Sequence, residues 1–347
     1  MRAVVLRGET LGVEDVAEPE PGLGQVLLET IACGICGSDL HCARHARTFT
    51  ETARATGMTI FDFDPDRPLV MGHEFSGRLI GAGPDVDLAA LGVDLGDAVV
   101  AHPVVRTTDG MRSVGYSNAH PGGYAQRLVV DATGVLRVPD GCDPVHAALT
   151  EPLAVGLHAV NATSAERRGS AIVIGCGPVG LAVVAALRLR GVPLVVAADF
   201  SPTRRRLAAE LGAHVVVDPA DGDAVTAWRD HGGRGPAVLV EAVGVPGMID
   251  RLVRSAPRRS EITVAGVCME TDRFEPLIAI SKELSIRFVL GWSPAEFAAS
   301  LEGIATGMID VAPLITGTVD LHGTPGAFTT LDRPDDHAKI LVRPNGA

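Results

Sequence analysis

Nine residues, Cys33-Gly-Ile-Cys-Gly-Ser-Asp-Leu-His41, bring two thiols, a hydroxyl, a carboxylate and an imidazole together. The glycines between them let the backbone turn tightly and keep those groups close. Taken alone, the Cys33-x-x-Cys36 spacing is either a redox pair or half of a zinc site. Further along, Met71-Gly-His-Glu-Phe-Ser-Gly77 offers His73 and Glu74 side by side, and Thr150-Glu-Pro-Leu-Ala-Val-Gly156 offers Glu151. With Cys36 these supply sulfur, nitrogen and oxygen donors, the mixture a catalytic zinc takes while leaving one position open. Spacing alone does not establish such a site. The donors are dispersed, a lone histidine commonly serves as an ordinary polar residue, and Glu151 could simply cap the helix after it.

A second constellation is local. Gly175-Cys-Gly-Pro-Val-Gly180 follows an apolar run that reads as a strand and opens one that reads as a helix, and Asp199 lies about 20 residues on. Gly175 makes the tight turn, Gly177 lets the backbone approach a pyrophosphate, and Gly180 packs helix on strand. Pro178 and Val179 open the helix, whose free N–H groups and positive dipole end suit phosphate. Asp199 should accept hydrogen bonds from the adenosine ribose and repel a 2′-phosphate, which favours NAD over NADP. Arg204, Arg205 and Arg206 follow it. Two of them read as a solvated helix face, while Arg204 could flank the adenine or meet a phosphate.

Two textures of chain must position these groups. Residues 1 to about 150 read as short β-rich runs, such as Gln25–Ile31, Gly77–Gly83 and Asp97–Ala101, punctuated by Gly, Pro and Asp. A polar segment at 43–68 interrupts them and reads as a long loop holding a short helix. From about Pro152, buried strands and amphipathic helices alternate, the pattern of a doubly wound parallel Rossmann sheet. The predicted strands begin at Ala171, Leu194, Val215, Ala237, Glu261 and Ser285. Pro294–Gly307 reads as a helix, and the tail ending Lys339-Ile-Leu-Val342 should return to the first domain. The division is therefore 1–151, catalytic; 152–292, cofactor-binding; and 293–347, the return. The whole is an α/β chain.

With 347 residues, 46% of them hydrophobic, the chain can bury two cores. A net charge of −12 without a basic cluster argues against nucleic acid as a partner. The longest apolar run, Ala171–Leu187, is broken by glycines and is too short to span a bilayer. Six scattered cysteines suit a reducing cytoplasm rather than a disulfide framework, and Met1-Arg-Ala-Val-Val-Leu-Arg-Gly8 turns polar too early for a signal peptide.

Cys36-Gly-Ser-Asp-Leu-His41, Gly72-His-Glu-Phe-Ser-Gly77, Glu151-Pro-Leu-Ala-Val155 and the Gly175 fingerprint occur in the order seen in the zinc-containing medium-chain alcohol dehydrogenases. The resemblance spans nearly the whole chain and is nearest to the polyol, threonine and secondary-alcohol dehydrogenase branch. It implies a GroES-like catalytic domain, one catalytic zinc, NAD as cofactor, a small-molecule alcohol as substrate and a homodimer or homotetramer. It makes Cys36 and His73 zinc ligands, leaves Glu74 and Glu151 to share the remaining role, and makes Ser38 and His41 a proton relay. The family's second, structural zinc sits on four cysteines in a lobe that here, at Ala101–Gly123, has none. That lobe should be held by packing. The 43–68 segment is longer than usual and could roof the substrate cleft or lie in solvent. Of the other cysteines, Cys33, Cys42, Cys142, Cys176 and Cys268 read as small buried residues. His45, His102 and His120 are weak candidates for substrate contact. With two Trp, two Tyr and nine Phe, no aromatic wall is evident. Trp292 could face the nicotinamide or a subunit interface. The alternatives are a zinc-free quinone or enoyl reductase on the same fold, or a nicotinamide-binding sensor.

Overall fold

The computed structural model describes residues 1–331 and 337–346. Two sheets organise them. Gln25–Gly34 is the spine of the first: Val26, Leu28, Thr30 and Ala32 are buried while the positions between them are only partly covered, the alternation of a strand facing a core on one side. It pairs antiparallel with Glu74–Ala82, Arg127–Asp131 and Lys339–Val342. The C-terminal strand therefore does return to the first sheet, where Ile315–Val319 lies beside it in parallel.

The second sheet has six parallel strands in the spatial order Val215–Val217, Leu194–Ala198, Ser170–Ile174, Val238–Glu241, Glu261–Val264, Ser285–Phe288. The chain runs outward from Ser170–Ile174 in one direction and then the other. The crevice for a dinucleotide opens where the order reverses, at the carboxyl ends of Ser170–Ile174 and Val238–Glu241. Both strands are buried almost throughout, as a parallel sheet covered on both faces requires.

Helix Thr150–Asn161 joins the two sheets. Its buried face shares a core with helix Pro178–Leu189, and Ala32 and Leu341 of the first sheet belong to the same core. Asn161 and His158 at its far end reach Glu296 of helix Pro294–Ala305 at 2.7 and 3.0 Å. Glu151, in the first turn, is thereby fixed from both sides.

The local structure after Gly34 differs from the reading of a turn and a separate short helix. Cys36 is the last extended residue, and a single helical stretch, Gly37–Thr56, begins at once and kinks at His45 (φ −127°, ψ 31°). Asp39 drives that start: its carboxylate accepts the Cys36 N–H at 3.0 Å, satisfying a donor at the helix beginning.

Candidate active site

Cys36 stands at the head of the Gly37–Thr56 helix, His73 just before strand Glu74–Ala82, and Glu74 on its first residue. Antiparallel pairing sets Gly34 against Glu74, and this brings all three donors together. The Cys36 sulfur, a His73 ring nitrogen and a Glu74 oxygen lie within 4.8 Å of one another. Glu151 stays outside this group: its Oε1 accepts the indole N–H of Trp292 at 2.9 Å. Trp292 packs on His102 and Phe297, with ring centroids 4.7 Å away in each case. It thus holds Glu151 from one side, and His102 buttresses it.

Two residues missed in the sequence hold the donors in place. Lys339 is buried, and its ammonium donates to Glu74 Oε1 and Oε2 at 2.8 and 2.6 Å and to the Ile35 carbonyl at 3.1 Å. Burial alone would lower its pKa, but Glu74 and Cys36 hold it above the usual lysine value. A lone lysine among Ala338, Ile340, Leu341 and Val342 was its only signal. Asp39 is the other. Fully buried, it accepts from Tyr124 Oη at 2.6 Å, Tyr116 Oη at 3.1 Å and the Cys36 N–H, and its Oδ1 lies 3.4 Å from His73 Nδ1. Burial works to raise its pKa, yet His73, Tyr124 and the Cys36 N–H together keep it below the ordinary carboxylate range. Both tyrosines of the chain thus serve one carboxylate.

Burial opposes a proton on His73, but Asp39 and Cys36 raise the imidazole well above its usual value. Burial pushes the Cys36 thiol up, with Glu74 adding to it. Glu151 is raised by burial and by Glu74 against the pull of His73, Trp292 and Lys339.

Ser38 and His41 lie one turn apart on the helix. Ser38 Oγ is hydrogen-bonded to Tyr116 Oη at 2.9 Å. His41 is half-buried, and burial, His45 and Arg44 lower its pKa, so it is neutral near pH 7. The 43–68 segment does not lie free in solvent. Phe49 and Phe61 gather on Tyr116, with Phe63 against Phe49, and make the aromatic cluster that composition did not suggest. The Ala101–Gly123 lobe is tied to this segment by Asn118, whose side-chain amide bonds Asp64, Arg67 and Pro68. Cys33 is core, as expected, and so are Cys42 and Cys176, whereas Cys142 and Cys268 are partly exposed.

The glycine loop follows the fingerprint. Gly175 adopts φ +90°, and a Cβ on Gly180 would sit 1.8 Å from the Gly175 carbonyl oxygen, so helix Pro178–Leu189 can close onto its strand only with glycine there. Asp199, just past strand Leu194–Ala198, accepts the Cys176 and Ser201 N–H groups at 2.7 and 2.8 Å and so holds the loop to the second strand. Arg205 pairs with Asp218 and Arg206 with Glu210, while the Arg204 guanidinium lies 3.9 Å from where a Gly177 Cβ would stand.

A zinc-binding dehydrogenase model matches residues 178–306, and an alcohol dehydrogenase GroES-like domain model matches 22–140. The (R,R)-butanediol dehydrogenase of Bacillus subtilis (strain 168) is 30% identical over 344 residues, 96% of each chain. The sorbitol dehydrogenase of the same organism is 27% identical, covering 99% of this chain and 98% of its own. A crystallised chain from Sinorhizobium meliloti 1021, bound to NADP, superposes with a TM-score of 0.82 at 28% identity over 99% of both chains.

The residues present fit zinc. Cys36, His73 and Glu74 are the soft-to-hard donor mixture it takes, they converge within one small volume, and His73 Nδ1 faces Asp39, which leaves Nε2 for the metal.

Proposed function

The chain belongs to the zinc-type medium-chain alcohol dehydrogenases, on their polyol-like side, and on that footing we propose how its residues divide the work. It is an oxidoreductase that moves hydride between an alcohol and NAD, giving a ketone or aldehyde. Its substrate is a secondary alcohol, polyol or sugar-like molecule. The observation that carries this reading is the convergence of Cys36, His73 and Glu74 in a sheet packed against a dinucleotide fold. A zinc-free reductase would have no use for that convergence, nor a sensor for a relay beside it.

Cys36, His73 and Glu74 hold the zinc, which supplies a Lewis acid that lowers the pKa of a substrate hydroxyl. Asp39 orients His73 from behind, as carboxylates behind metal-bound imidazoles do. Lys339 neutralises Glu74 where solvent cannot. Glu151 stands back on Trp292, outside the donor group. Ser38 takes the substrate hydroxyl proton as it gives up its own, and His41, a half-buried neutral imidazole, accepts a proton nearer solvent. The second sheet would hold the nicotinamide cofactor, which would supply the hydride acceptor.

The loop Gly175, Gly177, Pro178, Val179 and Gly180 cradles the pyrophosphate, Arg204 supports it, and Asp199 selects NAD through the ribose. Residues 1–151 act as the catalytic domain, 152–292 as the cofactor domain and 293–347 as the return. The chain works as a homo-oligomer, and its six free thiols suit the cytoplasm. No described helix is long and apolar enough to cross a membrane.

The test is dialysis against a chelator, followed by assays with NAD and NADP on secondary alcohols, polyols and sugars. Activity should vanish with the metal and return with zinc, and NAD should be preferred. Full activity in the metal-free protein would overturn the mechanism.

A further inference from the structure

The proton relay of this family is described by Ser38 and His41 alone, yet the structure surrounds Ser38 with more than a relay needs. Tyr116 is 3% exposed and its hydroxyl lies 2.9 Å from Ser38 Oγ and 3.1 Å from Asp39 Oδ1. Its ring is fixed on three sides. Phe49 stacks on it at 5.3 Å and 17°, Phe61 meets it edge-on at 5.7 Å and 87°, and His73 lies at 5.3 Å. Phe49 and Phe61 belong to the long 43–68 segment, which Asn118 and the Arg47–Asp66 and Arg54–Asp62 pairs tie down.

We propose that Tyr116 is the positioning residue of the relay and that the 43–68 segment exists to hold it. A serine hydroxyl has one proton, two lone pairs and three staggered rotamers. The single Tyr116 proton can go to Asp39, which only accepts, and the phenol oxygen 2.9 Å away then receives the Ser38 O–H and selects one rotamer. The Ser38 lone pairs are then free for the substrate proton, and Ser38 gives up its own proton as it takes that one. Because the same phenol reaches Asp39, and Asp39 faces His73, the relay is registered to the metal donors through a single oxygen. The aromatic cap makes that registration rigid, since a tyrosine ring stacked and edge-packed among aromatics has little freedom to swing its hydroxyl away.

This inference rests on Ser38 being the relay, and a double-mutant cycle separates the two ideas. Tyr116→Phe keeps the ring stack and removes only the hydroxyl. It should lower kcat about tenfold, the worth of one hydrogen bond, with KM for alcohol and NAD and the zinc content unchanged. On a Ser38→Ala background the same change should cost less than about twofold. Phe49→Leu, which loosens the cap and leaves every hydroxyl, should give a smaller loss of kcat that also disappears on Ser38→Ala. If Ser38→Ala itself leaves kcat intact, the relay reading fails. If Ser38→Ala is slow but Tyr116→Phe and Phe49→Leu cost as much on it as on the natural chain, or act by shedding zinc, the relay stands and the positioning role is overturned.

Discussion

Cys33 and Cys36 are three residues apart and have opposite fates, decided by what each sulfur meets. Cys33 lies on the inner face of strand Gln25–Gly34, fully buried, where Cβ atoms on Gly72 or Gly123 would collide with its sulfur. Cys36 faces His73 and Glu74. Cys36→Ala should therefore lose zinc and activity, while Cys33→Ala should keep both at a stability cost of roughly 1–2 kcal/mol, the scale of a small core truncation. Metal analysis and thermal unfolding of the two variants check this. Lys339 makes a sharper case. A buried lysine on a buried glutamate is stable only as a pair, and removing one partner strands the other's charge. Lys339→Met should destabilise the metal-free protein by about 3 kcal/mol. The zinc-loaded protein should lose less, because a bound cation offsets the charge left on Glu74. Equal losses in melts with and without zinc would refute that account. Neither Lys339 nor Asp39 was legible as a site residue. Each is recognised by what folding places opposite it, and a sequence shows only an odd lysine in an apolar strand and an acid in a helix's first turn.

Elements were more legible than partners. Strands of the second sheet announce themselves as apolar runs, because both faces are covered, and the glycine fingerprint sits between strand and helix where its spacing required. The Gly37–Thr56 helix was harder to see, because the positions it buries, Asp39, Cys42, Ala43, Thr50 and Ala53, are small or polar and leave no strong apolar stripe in the sequence. Helix Pro294–Ala305 was visible, but its tie to the site was not. Ser293 and Glu296 form a capping box at its start, and Glu296 also binds His158 and Asn161 of the helix that carries Glu151. Burial raises the Glu296 carboxyl, but Asn161, the Ser293 backbone and hydroxyl, and His158 overcome this and hold it near 2 rather than 4.5. A carboxyl depressed on folding stabilises the native state above its unfolded value, and the stabilisation is lost as pH falls from about 4.5 toward 2. The contribution at neutral pH is about 3 kcal/mol. Glu296→Gln should be less stable than the natural chain at pH 7 by roughly that amount, and the gap should close as pH approaches 2. Denaturant unfolding of both proteins across that range measures the gap directly. A gap independent of pH would mean that packing, not charge, sustains the contact.

At the scale of the molecule, the second sheet ends abruptly. Ser285–Phe288 is an edge strand with one neighbour, and the surface around it is apolar: Leu277, Ile280, Phe288 and Leu290 are 74%, 70%, 67% and 63% exposed. Soluble chains protect such edges with charge, bulges or a covering element, and here the strand carries only the exposed Arg287. The arrangement suits a two-fold partner, in which the same strand of a second copy continues the sheet and helix Pro276–Lys282 meets its equivalent. Because a two-fold seam repeats every substitution, Phe288→Asp sets two carboxylates into one apolar contact. Desolvating them costs far more than one lost aromatic contact. The variant should run at a lower mass than the natural chain by light scattering, at concentrations where the natural chain is associated. Its zinc content should be unchanged, since the donors lie on the other sheet. Its catalytic rate bears on a further point. Trp292 follows the edge strand by four residues and holds Glu151 away from the metal donors, so a frayed edge loosens that restraint. A monomer that keeps zinc but turns over more slowly would place the seam in control of Glu151. A monomer of full activity would confine the seam to stability, and a natural chain that is already monomeric would remove the interface altogether.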